Sequence, residues 1–65
     1  MNKFQAIEAM KSGCKLTHNY FCKDEWVRME NGMMVFEDGC KCSQEMFWMD
    51  RTAFGWDDGW SLVKN

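Results

Sequence analysis

The sequence predicts an α+β fold: an N-terminal helix packed on a small antiparallel sheet, with a central Asn-Gly hairpin and a short second helix. Three local signals carry that expectation. Asn31-Gly32 sits between two alternating apolar stretches, and Asn-Gly is the preferred two-residue hairpin turn because both positions need positive φ. Asn2 stands three residues before Gln5 and opens an amphipathic segment, the pattern of a capping box. Ser43, with Glu45 two residues on, caps a second apolar segment where the helix dipole favours an acid. At 65 residues the chain is expected to form one domain, residues 1–65.

The elements follow in order. Phe4, Ile7 and Met10 recur at helical spacing with Ala6 and Ala9 beside them, and Gly13 is placed to end the helix, so a helix is expected over Lys3–Ser12. Its apolar stripe is short and needs a sheet to lie on. Cys14–His18 alternates as a strand, and Tyr20-Phe21 is an aromatic pair beyond it. Trp26–Glu30 and Met33–Glu37 form the hairpin. Its expected register sets Glu30 opposite Met33, Met29 opposite Met34, Arg28 opposite Val35 and Val27 opposite Phe36. That register puts Val27, Met29, Met34 and Phe36 on one apolar face, and a one-residue slip would destroy the separation. Asp38-Gly39 turns the chain into a short strand, Cys40–Cys42, and Gln44–Met49 is the second helix. Arg51–Asp58 reads as an irregular loop, and Trp60–Val63 as a last strand. Phe4, Phe36 and Trp60 are expected in the core.

Composition narrows the function. Eight basic and ten acidic residues give a net charge of −2, which argues against binding driven by DNA phosphates. No apolar run approaches the ~20 residues of a membrane span, and the opening segment lacks the continuous apolar stretch of an export signal. A reducing cytosol is therefore the expected compartment. There, Cys14, Cys22, Cys40 and Cys42 are expected as free thiols, although zinc or disulfides remain open. The gaps between them are seven, seventeen and one residue, unlike the C-x₂₋₄-C knuckle of a zinc site. His18 is the only histidine, no serine sits in a nucleophile elbow, and the glycines are single turn residues. No enzyme activity and no cofactor are expected.

Ten of the residues are Phe, Tyr or Trp. Each ring buries roughly 150–250 Å², more than a small core obviously needs. Tyr20, Phe21, Trp26, Trp48 and Trp56 are left near loops or on the mixed hairpin face. Arg28 and Arg51 are the only guanidinium groups. Rings that stack on a base, with an arginine for a phosphate, suit a nucleotide. The candidate binding residues are thus Tyr20, Trp26, Arg28, Arg51 and Trp56, with His18 and Phe21 added below. The competing reading is that the rings complete the core or a subunit contact.

Phe4-x-Ala6-x-x-Ala9-Met10-Lys11-x-Gly13-x-Lys15-Leu16 resembles the opening helix and first strand of the Thoeris anti-defence proteins of the second type, a family of small phage proteins. In that family the strand carries a basic residue with an aromatic three positions later, and His18 and Phe21 stand at those places. Asp58-Gly59-Trp60-Ser61-Leu62-Val63 is similar to the family's closing acid, Trp and apolar strand, with a Gly inserted. The resemblance covers the first third of the chain and its last few residues. It implies a stoichiometric sponge in the host cytosol. Such a protein sequesters a cyclic nucleotide-type immune signal, such as a cyclic ADP-ribose isomer, in pockets between subunits of a homo-oligomer. A rival expectation is a small phage inhibitor that contacts a host defence or CRISPR enzyme through an exposed aromatic patch.

Overall fold

The computed structural model describes residues 1–63. Its elements are α1 (Lys3–Lys11), β1 (Leu16–His18), β2 (Val27–Glu30), β3 (Met33–Phe36), β4 (Lys41–Ser43), α2 (Gln44–Met49), a 3₁₀ turn (Phe54–Asp57) and β5 (Trp60–Leu62). The five strands form one antiparallel sheet in the order β4-β3-β2-β1-β5. This is the expected α+β architecture. The hairpin has the expected register at all four pairs, from Val27 opposite Phe36 to Glu30 opposite Met33. Asn31 and Gly32 both have positive φ, 52° and 78°, as the two-residue turn demands.

Local chemistry explains both helices. Asn2 Oδ1 accepts from the Gln5 N–H at 2.8 Å, and Gln5 Oε1 accepts from the Asn2 N–H at 2.9 Å. At the other end the Gly13 N–H donates to Met10 O and the Cys14 N–H to Ala9 O, so the last carbonyls of α1 are satisfied. In α2, Ser43 Oγ accepts from the Met46 N–H at 3.1 Å. Gln44 Nε2 donates to Gly32 O at 2.9 Å and ties the start of α2 to the hairpin turn.

Both helices cover one face of the sheet. Pairing puts Leu16, His18, Val27, Met29, Met34, Phe36, Cys42, Trp60 and Leu62 on that face. Leu16, Val27, Met34 and Trp60 are buried there against Ala6 and Met10 of α1 and Phe47 of α2. The opposite face carries Thr17, Arg28, Glu30, Met33, Val35 and Lys41, and no helix among the described residues packs over it. Val35 is nevertheless only 5% exposed, lying between Arg28 and Lys41 in register.

Phe4 is a correction. It is 76% exposed, although the spacing of Phe4, Ile7 and Met10 suggests a core stripe. The buried positions of α1 are Ala6 and Met10, four residues apart, and at 100° per residue Phe4 falls on the far side of the helix from them. Two small alanines let α1 lie close to the sheet, so the helix rolls onto its Ala6–Met10 edge.

Candidate functional site

Four of the five surplus rings, Tyr20, Phe21, Trp48 and Trp56, join one connected aromatic cluster. Trp60 is its hub. Its ring centroid lies 4.7 Å from His18, 5.7 Å from Phe21, 5.6 Å from Trp48, 5.9 Å from Trp56 and 6.3 Å from Phe47. Phe21, Trp48 and Trp56, expected without an internal partner, pack half-buried against the core. The indole N–H of Trp60 donates to Trp56 O at 2.8 Å. The Trp48 indole N–H is buried without a partner among the described residues, and Lys3 Nζ lies 4.6 Å from that ring.

His18 anchors the segment between α2 and β5. It is 4% exposed. Its Nδ1 accepts from the Tyr20 N–H at 3.0 Å, so the ring proton sits on Nε2, which donates to Gly55 O at 2.8 Å and Asp58 O at 2.6 Å. Both ring nitrogens are therefore committed to backbone. Trp56 lies 4.3 Å from the imidazole. The Tyr20 ring meets Trp56 edge-on at 5.0 Å and lies directly against Gly55, where any Cβ would overlap the phenol. Gly55 is thus required by close approach, not by an unusual φ.

Arg51 braces the same segment from behind. Its Nη1 donates to Phe47 O at 3.0 Å, at the C-terminal end of α2. The guanidinium carbon lies 4.1 Å from the Phe47 ring, 5.2 Å from Trp56 and 6.0 Å from both Phe21 and Phe36. No carboxylate pairs with it among the described residues, and its Nε is buried and unpartnered. Aromatic faces stabilise the cation in place of an acid.

Between Tyr20 and the 3₁₀ turn lies a cleft of about 380 Å³, lined by His18, Asn19, Tyr20, Phe54, Gly55, Asp58 and Gly59. Two rings stand at its rim: Tyr20 is 62% exposed and Phe54 is 92% exposed. The structure therefore brings His18, Tyr20, Phe21, Arg51 and Trp56 together. His18 forms part of the wall, and Phe21, Arg51 and Trp56 support the wall from behind. The sequence alone carries no binding signal at Asn19, Phe54, Asp58 or Gly59, which complete the lining. Gly55 between two aromatics was the available signal, since a single Gly there permits close ring approach.

Trp26 and Arg28 do not join this group. Pairing places Arg28 on the helix-free face, where its guanidinium donates to Glu30 at 3.0 Å. Trp26 borders a separate depression of about 360 Å³ with Thr17, Lys23, Asp24, Glu25 and Val63, and the Lys15 ammonium lies 4.5 Å from its ring.

The four cysteines are free thiols, with Cys14 and Cys42 half-buried and Cys22 and Cys40 exposed. Among the described residues no three His, Cys, Asp or Glu side chains stand close enough to hold a metal ion. The Cys40 N–H donates to Asp38 Oδ1 at 2.9 Å. That backbone bond, with help from the Cys40 thiol, holds the Asp38 carboxyl below its ordinary range. The hydrogen bond to Asp38 and its negative charge push the Cys40 thiol up. Among the described residues no helix is long and apolar enough to cross a membrane. Compared with known proteins, the chain matches no family model, no curated protein and no solved structure.

Proposed function

We propose that the protein binds and sequesters a cyclic nucleotide-type immune signal without hydrolysing it, as the phage anti-defence proteins that its sequence resembles do. The observation that carries this reading is the cleft of about 380 Å³ that Tyr20 and Phe54 help line, with His18 hydrogen-bonded to three backbone groups in its wall. Its size falls within the roughly 300–1,000 Å³ of small-molecule sites. A wall already in place lowers the ordering cost of binding, which a stoichiometric trap needs more than a catalyst does. His18 has no nitrogen left to take a proton from water or a nucleophile, which supports binding without turnover. The segments that carry the resemblance also meet in space: β1 pairs with β5, with His18 opposite Trp60, and α1 packs on both. The cleft is shallow and largely open to solvent, so a second copy in a homo-oligomer would be needed to enclose a ligand there. The site of action is the host cytosol.

The test is recovery of ligand. The protein is incubated with cyclic ADP-ribose isomers, freed of unbound ligand and denatured, and the released small molecule is identified by mass. Intact ligand in stoichiometric amount is expected. A hydrolysed product, or none, contradicts the reading.

One observation favours a second reading, inhibition by protein contact. Phe54 is almost fully exposed on a turn whose Gly55 carbonyl His18 holds, as an anchor residue of an interface would be. Stable co-purification with a host defence enzyme, lost in Phe54→Ala, would establish that reading.

A further inference from the structure

We infer that the Tyr20–Phe54 cleft recognises the nucleoside part of its ligand, base and ribose, and not the phosphates. This rests on the sequestration reading and adds which portion of the ligand the cleft grips. Among the described residues, Asp58 is the one charged residue lining the cleft, and no lysine or arginine lines it. The Arg51 guanidinium lies behind Trp56, 5.2 Å from its ring. The Met1 ammonium, 3.8 Å from Asp58 Oδ1, donates to Trp60 O and is not part of the lining. A phosphate placed here would meet a carboxylate with no lining cation to offset the repulsion.

The uncommitted polar groups suit a nucleoside instead. Asp58 Oδ1 accepts from the Gly59 N–H at 2.9 Å, which leaves Oδ2 without a partner among the described residues. A free carboxylate oxygen accepts hydrogen bonds from a ribose diol, as acids do in dinucleotide sites. The Asn19 side-chain amide and the Tyr20 hydroxyl also make no hydrogen bond among the described residues, and both residues line the cleft. An amide offers donor and acceptor together, the pattern needed to read a base edge. The exposed Phe54 and Tyr20 rings supply the stacking faces.

The test compares adenosine, adenosine 5′-monophosphate, 2′,3′-dideoxyadenosine and a cyclic ADP-ribose isomer by calorimetric titration at low and high salt. Adenosine and its monophosphate are expected to bind within about threefold of each other, with little salt dependence. The dideoxynucleoside is expected to bind about tenfold more weakly than adenosine, the scale of a lost charge-assisted hydrogen bond. Asp58→Asn, which keeps the Oδ1 acceptor for Gly59, is expected to abolish that difference. Monophosphate binding about tenfold or more tighter than adenosine overturns the inference, as does binding of the cyclic ligand alone. Either result leaves sequestration standing. No binding of any of the four overturns both.

Discussion

His18 links a strand to a loop through three backbone groups. Replacing it with Leu keeps the ring cluster apolar but leaves Gly55 O, Asp58 O and the Tyr20 N–H without their partner. The expected loss is about 3 kcal/mol, measured by chemical denaturation, which is large for a domain of this size. Gly55→Ala tests the close approach from the other side. Its Cβ would displace the Tyr20 ring, so it is expected to destabilise the protein by about 1–3 kcal/mol. In a Tyr20→Ala background the same substitution is expected to cost much less, and equal costs in both would show that the contact is absent. Asp38 and Cys40 make a pH prediction. The folded Asp38 carboxyl is lowered, so its contribution to stability is present above the ordinary carboxylate range and fades as pH falls through the lowered folded value. The Cys40 thiol is raised, so it stays protonated at higher pH. Asp38→Asn is expected to speed alkylation of Cys40 at pH 8, read by mass spectrometry. At this scale His18 was only partly legible: its place at a strand end was visible, but its two carbonyl partners lie 37 and 40 residues away.

The elements were the most legible level because their signals are local. The hairpin register follows from one dipeptide and the alternation around it, and α2 spans the stretch that its serine cap announces. Gly32→Ala puts a side chain at φ 78° and is expected to destabilise the hairpin by about 1 kcal/mol, as is Asn2→Ala at the cap of α1. A denaturation midpoint unchanged by both would mean that these signals do not stabilise the fold. The face of α1 was harder to read. Phe4 and Ile7 outweigh two alanines in any apolar count, yet close packing on a sheet selects Ala6. The 3₁₀ turn Phe54–Asp57 has no apolar period to announce it. Its conformation comes from tertiary partners, His18 and Tyr20, and so the cleft that it forms was not visible in the sequence.

At the scale of the molecule, the aromatic surplus divides into an internal set, the exposed Tyr20, and Trp26, which stands apart with Lys15 over its ring. Phe21, Trp48 and Trp56 close around Trp60 and enlarge a core that a 65-residue chain could not otherwise supply. The rings that remain exposed are Phe4, Tyr20 and Phe54, and Met46, Met49 and Leu62 are exposed with them. The sequestration proposal, with pockets shared between subunits, requires association between copies. Light scattering is expected to give at least twice the 7.7 kDa of one chain, and a strict monomer would remove pockets shared between subunits. Calorimetric titration with a cyclic ADP-ribose isomer, run on the natural chain and on Phe54→Ala, tests the central claim most directly. Saturable binding is expected, weakened about tenfold or more by loss of the stacking ring, with the unfolding midpoint unchanged because Phe54 touches little else. No heat with the natural chain, or equal affinity in the variant, would contradict sequestration at this cleft.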